Sequence, residues 1–197
     1  MNLPNKITIC RIVLSIILLI MLVFPFDMCG FIWPVYQVFG TINVSLQYIM
    51  GGVIFLIASL TDFLDGNIAR KRGLVTDFGK VMDAIADKVL VNGVLVVLAC
   101  NGLINQIIPV IIITRDIFVD SIKMVAGSSG KAVGASILGK LKTICMMCGL
   151  TLVFFYNIPF ELVNINVAEG LLYMATVLSI ISGIQYYLVN KEYFKEK

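Results

Sequence analysis

Six apolar stretches, at 7–24, 44–64, 82–100, 104–125, 135–156 and 168–189, follow one another along the 197-residue chain with only short connections between them. Ile, Val, Leu, Met and Phe occupy nearly every side of each stretch when it is projected as a helix. About 20 apolar residues cross a bilayer, and a segment in lipid must satisfy its own backbone groups, so stretches of this length predict helices. The alternating ten-residue pattern of a membrane β-barrel is absent. The connections carry chain-breaking residues: Pro25, Pro34 and Gly40, then Lys71-Arg72-Gly73, Asn101-Gly102, Gly127-Ser128-Ser129-Gly130 and Asn157-Ile158-Pro159. The pattern therefore predicts an all-α, polytopic membrane protein of six transmembrane helices, with residues 1–197 forming one domain.

Composition agrees: 59% of residues are hydrophobic and 14% charged, whereas soluble domains are typically about 45–50% apolar and about 25% charged. The placement of charge adds an orientation. None of the 15 Lys and Arg residues falls in 26–50, 101–105 or 157–170. With six spans these are the three connections on one side, so the basic side, holding both termini, is expected to be cytoplasmic. No small-x-small cleavage site follows the first stretch, which reads as an uncleaved span. The expected location is a cell membrane, with the chemistry facing the cytoplasm.

Histidine is absent, which removes the usual general base and Ser-His or Cys-His nucleophilic schemes. Acid–base work must fall to carboxylates or lysines, and a metal site must be rich in oxygen, favouring Mg²⁺, Mn²⁺ or Ca²⁺ over zinc. Cys145 and Cys148 have C-x-x-C spacing but stand in an apolar run without a second pair, and read as packing residues.

The segment from Ser59 to Lys88 holds five of the twelve acidic residues. Asp62 and Asp65 are spaced i, i+3, and Asp83 and Asp87 i, i+4, so each pair lies on one helix face. If the second and third helices are antiparallel neighbours, four carboxylates converge at the cytoplasmic end of the bundle. Their mutual repulsion in a low dielectric would call for neutralisation, which two divalent cations would supply. Gly66, Ala69 and Gly79 lie between the acids and allow close approach, and Arg70 and Thr76 could hold phosphate oxygens. A single aspartate of this kind would read as a solvated helix end, and Asp77, out of register with both pairs, is read that way. A second polar group follows. Arg115, Asp116, Asp120 and Lys123 lie in the fourth stretch, and Lys131, Lys140 and Lys142 around the next connection. Arg115, Lys123, Lys140 and Lys142 fit an anion site. The competing explanations are lysines snorkelling to the interface and a buried pair of Arg115 with Asp116 or Asp120.

The pattern Asp62-x₂-Asp65-Gly66-x₂-Ala69-Arg70-x₈-Gly79-x₃-Asp83-x₃-Asp87 fixes eight residues at set gaps, and it resembles the signature of the CDP-alcohol phosphatidyltransferase family at every one of them. The opening Asn2-Leu3-Pro4-Asn5-Lys6-Ile7-Thr8 with Arg11, the run Gly139–Thr143 and the closing Ser182–Tyr187 look like the bacterial members that act on glycerol 3-phosphate. Ala84 stands where the family usually has proline, Arg115-Asp116 where it often has Arg-Glu, and Ile122-Lys123 where it often has Leu-Arg. The resemblance implies six transmembrane helices, a homodimer, and transfer of the phosphatidyl group of CDP-diacylglycerol to glycerol 3-phosphate with release of CMP; the alternative within the family is the same chemistry with inositol phosphate, serine or phosphatidylglycerol as acceptor. It further implies Asp62, Asp65, Asp83 and Asp87 as ligands of two Mg²⁺ or Mn²⁺ ions, with Asp87 as general base. Gly66, Arg70, Thr76, Asn5 and Thr8 become contacts of the CDP moiety. Arg115, Lys123, Lys140 and Lys142 become the site for the acceptor's phosphate. A different class of function, an ion-coupled transporter lined by intramembrane charges, would place its acids near the midplane; here they cluster at one end. Nucleic-acid binding has no support, because no basic stripe interleaved with aromatics exists.

Overall fold

The computed structural model describes residues 3–40, 42–72, 77–128, 134 and 136–191, with the backbone alone for 3, 4, 63–72, 77, 78, 80 and 128. Six helices carry the chain: α1 (Leu3–Val23), α2 (Leu46–Arg72), α3 (Asp77–Cys100), α4 (Ile107–Ser128), α5 (Ile137–Phe154) and α6 (Val167–Asn190). Each is centred on one of the apolar stretches, and local chemistry sets the ends. Ser136 caps α5 by accepting the Gly139 amide at 3.0 Å. After Cys100 the chain leaves α3 through Gly102 at φ +71°, the left-handed conformation that glycine adopts without strain.

Among the described residues, three helical segments are long and apolar enough to cross a membrane: Asn5–Val23, Ile137–Phe154 and Val167–Asn190. Leu46–Asp62 is a shorter apolar helix. Helices α3 and α4 have the length, but Asp83, Asp87 and Lys88 on the first and Arg115, Asp116, Asp120 and Lys123 on the second dilute their apolar character.

The expectation of a purely helical chain needs one correction. Strand β1 (Val35–Val38) pairs antiparallel with β2 (Ile42–Ser45), Val35 facing Ser45 and Val38 facing Ile42. The residues are β-branched or aromatic at Val35, Tyr36, Val38, Ile42 and Val44, and Phe39 and Gly40 turn the chain with φ of +53° and +71°. Strands of four residues are too short to register as a period, so the pattern read only a connection here. It also placed Val44 in the second apolar stretch, whereas the helix starts at Leu46.

Packing divides the bundle into two groups. Helix α1 lies against both α2 and α3, and α6 lies against both α4 and α5; α2–α5 and α3–α4 contacts join the groups. Leu18, Phe55, Leu95, Ile108, Leu150 and Leu172, one from each helix, are fully buried in a single apolar core. The outer faces are apolar too: Val13, Ile17 and Ile20 on α1, Val110 and Ile117 on α4, and Ile180 and Ile184 on α6 are exposed. A surface so extensively apolar requires lipid rather than water as its solvent.

At the end of the bundle carrying the hairpin, side chains lock the connections. The Ser45 amide donates to the Tyr156 hydroxyl at 2.9 Å. Asn157 donates to the Ile165 carbonyl at 2.7 Å and accepts the Ala168 amide at 3.1 Å. Phe24, Phe26, Phe31 and Trp33 pack edge to face at 4.9–5.9 Å between centroids. The acidic segment lies at the opposite end.

Candidate functional site

Helix α1 carries a polar stripe on an otherwise apolar surface. Thr8, Arg11 and Ser15 recur at three- and four-residue intervals, share one face, and are 4%, 1% and 0% exposed. The Ser15 hydroxyl donates to the Arg11 carbonyl at 2.8 Å, and the Arg11 side chain reaches across the bundle. Its Nη1 donates to Asp62 Oδ1 on α2 and to Asp83 Oδ1 on α3, the latter at 2.9 Å. Two of the four predicted ligands are thus brought together, and the group joining them is an arginine from the first helix. Spacing alone paired α2 with α3 directly; among the described residues those two helices touch only lightly, and α1 lies between them.

Asp87, one turn beyond Asp83, belongs to a different part of the site. It lines a cavity of about 240 Å³ together with Lys88, Arg115, Asp116, Asp120, Lys123, Lys140, Lys142 and Tyr186. All four residues predicted for the acceptor's phosphate therefore line the same cavity as the predicted base. Five cationic side chains against three carboxylates give this concavity a positive balance, which suits a phosphate ester. Among the described residues, Arg11 and Asp83 of the first cluster and Asp116 and Lys142 of the second all act electrostatically on Asp87.

The cations are held from below. Asp116 accepts Lys142 Nζ on both oxygens at 2.8 Å and Arg115 Nη1 at 2.9 Å. Arg115 also donates through Nε to the Ser179 carbonyl at 3.2 Å and through Nη2 to the Ser182 hydroxyl at 2.7 Å, both on α6. The pair of Arg115 with Asp116, which the sequence offered in buried form as the alternative to an anion site, is present, part-buried, and lines the cavity. One carboxylate shared by two cations leaves surplus positive charge while fixing both heads. Lys88 pairs with Asp120 across α3 and α4. The Tyr186 ring lies 5.7 Å from both the Arg115 guanidinium and the Lys123 ammonium. Its hydroxyl donates to the Gly134 carbonyl at 2.8 Å and accepts the Ser136 amide at 3.0 Å, tying the entry of α5 to α6.

The remaining predicted residues are placed less fully. Asn5 is half-buried and Thr8 buried near the start of α1, on the side of Arg11. The backbone of Asp65, Gly66 and Arg70 continues α2 past Asp62; their side chains, and Thr76 and Lys131 entirely, lie outside the described residues. Among the described residues no cluster of three acidic, Cys or His side chains converges as ligands. The donor chemistry nevertheless fits a divalent ion. Two carboxylate oxygens from separate helices point at one atom, and hard oxygen donors are what Mg²⁺ and Mn²⁺ take.

Sequence reasoning assigned no role to Arg11, Ser179, Ser182 or Tyr186, and gave Asp116 only as a rival partner for Arg115. An arginine alone inside an apolar run, in register with Thr8 and Ser15, was the available signal for the first. Tyr186 and Ser182 carried none beyond their place in the family-like closing run, and Ser179 carried none at all.

Comparison with known proteins follows the same lines. A family model described as CDP-alcohol phosphatidyltransferase matches residues 1–181. The CDP-diacylglycerol–glycerol-3-phosphate 3-phosphatidyltransferase of Bacillus subtilis is 38% identical over 98% of this chain and 97% of its own. The protein of that name from Rickettsia typhi is 36% identical over 98% and 99%. Among solved structures, the phosphatidylinositol phosphate synthase of Mycobacterium tuberculosis with CDP-DAG bound has a TM-score of 0.62 at 22% identity, covering 96% of this chain and 86% of that one. The same protein in complex with manganese and citrate gives 0.60 at 20%, over 100% and 87%. At these identities the likeness is one of fold.

Proposed function

Because the chain belongs to the CDP-alcohol phosphatidyltransferase family, we propose that it transfers the phosphatidyl group of CDP-diacylglycerol to sn-glycerol 3-phosphate. The products are CMP and phosphatidylglycerophosphate, a step of phospholipid biosynthesis. The observation that carries the assignment of roles is that Asp87 shares its cavity with Arg115, Lys123, Lys140 and Lys142, one helical turn from the Asp62–Arg11–Asp83 junction.

The acceptor's phosphate is held by Arg115 and Lys142, fixed through Asp116, with Lys123 and Lys140 at the rim. This puts the acceptor hydroxyl within reach of Asp87, which takes its proton as the oxygen attacks the β-phosphorus. A new oxygen–phosphorus bond forms, the bond between the β-phosphorus and the CMP oxygen breaks, and its electron pair leaves with CMP. Asp62, Asp65, Asp83 and Asp87 would hold the divalent ions, Mg²⁺ or Mn²⁺, and Gly66, Arg70, Thr76, Asn5 and Thr8 would form the surroundings of the cytidine diphosphate. Such ions would supply electrostatic stabilisation of the charge that develops during transfer. Acyl tails remain in the bilayer, which accounts for a water-soluble head-group reaction on an apolar scaffold.

The chain is an integral protein of the cell membrane, with six spans, both termini and the active site on the cytoplasmic side, and it works as a homodimer. Segregation of every Lys and Arg away from 26–50, 101–105 and 157–170 supports that orientation.

An acceptor panel tests the assignment. The purified protein is given CDP-diacylglycerol, Mg²⁺ or Mn²⁺, and in turn glycerol 3-phosphate, serine and inositol phosphate, and CMP release and lipid product are measured. Product with glycerol 3-phosphate is expected, with loss of about 10²–10⁴-fold in kcat for Asp87→Asn. Product with serine or inositol phosphate but none with glycerol 3-phosphate would overturn the acceptor; wild-type turnover by Asp87→Asn would overturn the base.

A further inference from the structure

Arg11 is the one charged side chain of α1 that is wholly enclosed, and it spends its Nη1 on two carboxylates at once. The Arg11 side chain is 0% exposed, whereas those of Asp62 and Asp83 are 37% and 46% exposed. The carboxylates thus open toward solvent while the arginine grips them from the protein side. Two carboxylates drawn from separate helices to one point repel, and among the described residues this guanidinium is a charge that neutralises them.

We propose that Arg11 is a positioning residue that competes with a divalent cation for Asp62 Oδ1 and Asp83 Oδ1, holding the carboxylates at ligand spacing and weakening ion binding in return. The inference rests on the reading of Asp62 and Asp83 as ion ligands given above. Its physical basis is that both oxygens direct a lone pair at the same nitrogen. An ion bridging them must share or take that space against a positive charge a few ångströms away. Arg11 therefore separates two properties that a bare carboxylate pair would couple: the pair stays assembled before an ion arrives, and the ion is held loosely enough to exchange.

The test is binding rather than turnover. The full-length protein in detergent or nanodiscs is titrated with Mn²⁺, free Mn²⁺ being read by electron paramagnetic resonance, and melting temperature is measured in EDTA and in saturating Mn²⁺. Wild type, Arg11→Gln and Arg11→Lys are compared, with Asp83→Asn as the control that removes a ligand. Competition predicts that Arg11→Gln binds Mn²⁺ roughly ten- to hundredfold more tightly than wild type. Its melting temperature should fall in EDTA and be restored by Mn²⁺, with Arg11→Lys intermediate in both. Equal or weaker Mn²⁺ affinity in Arg11→Gln, or the same loss of melting temperature with and without Mn²⁺, would overturn the proposal. If Arg11→Gln does not fold, Arg11→Lys decides it: tighter binding supports competition and unchanged binding refutes it. Absence of saturable Mn²⁺ binding in wild type, or binding untouched by Asp83→Asn, would instead remove the ion site itself, and the competition with it.

Discussion

Gly183 illustrates how a residue without a side chain can govern one that has chemistry. A Cβ built there would stand 3.1 Å from Arg115 Cγ, and Arg115 cannot yield freely because Ser179, Ser182 and Asp116 hold its head. Gly183→Val is expected to displace the guanidinium and raise KM for glycerol 3-phosphate about tenfold, equivalent to roughly 1.4 kcal/mol. KM for CDP-diacylglycerol should change little. Steady-state kinetics in both substrates check this, and equal rises in the two KM values would place Arg115 elsewhere in the mechanism. At this scale the acids were legible from the chain, because Asp62, Asp65, Asp83 and Asp87 announce themselves by helical spacing. Arg11 was not, because its partners lie 51 and 72 residues away and no local pattern encodes which helix will face it. Asp116 was seen as a rival partner for Arg115; that it also binds Lys142, 26 residues on, required the fold.

Helices α5 and α6 approach closely because one of them is notched. At Gly149 an added Cβ would come within 2.9 Å of Leu172 Cγ and Cδ2 and 3.3 Å of the Ala168 carbonyl. In lipid, where apolar side chains gain little by leaving their solvent, such small-residue contacts carry much of the helix association. Gly149→Leu should destabilise by about 1–3 kcal/mol through overpacking. Gly170→Ala, also helical but with nothing within 4 Å of its Cβ, should be neutral or slightly stabilising. Thermal unfolding in a single detergent distinguishes them, and equal melting temperatures for the two variants would deny the close contact. The helices themselves were readable from apolar length, since nothing but a helix satisfies its backbone in so long a stretch. The hairpin was not readable: four-residue strands offer two alternations at most, and its Val, Tyr and Ile residues merge into the general apolarity of the chain.

The molecule as a whole has a chemical polarity from end to end. Along the sequence, 26–50, 101–105 and 157–170 carry Asp27, Glu161 and Glu169 without a basic residue. Cys29, exposed at the end of the short helical turn Phe26–Cys29, is a native reporter of that polarity. With the other cysteines replaced, a membrane-impermeant maleimide should label Cys29 in intact cells. Labelling that appears only after permeabilisation would invert the topology. The two-group packing has a consequence in time as well. Translation delivers Arg11, Asp62, Asp83 and Asp87 within the first half of the chain, but the brace that aims Arg115 comes from Ser179 and Ser182 in the last helix. A polypeptide released by the ribosome short of α6 thus has its carboxylates and its acceptor arginine but only Asp116 to hold that arginine, so the acceptor half of the machine is the last thing the cell finishes building.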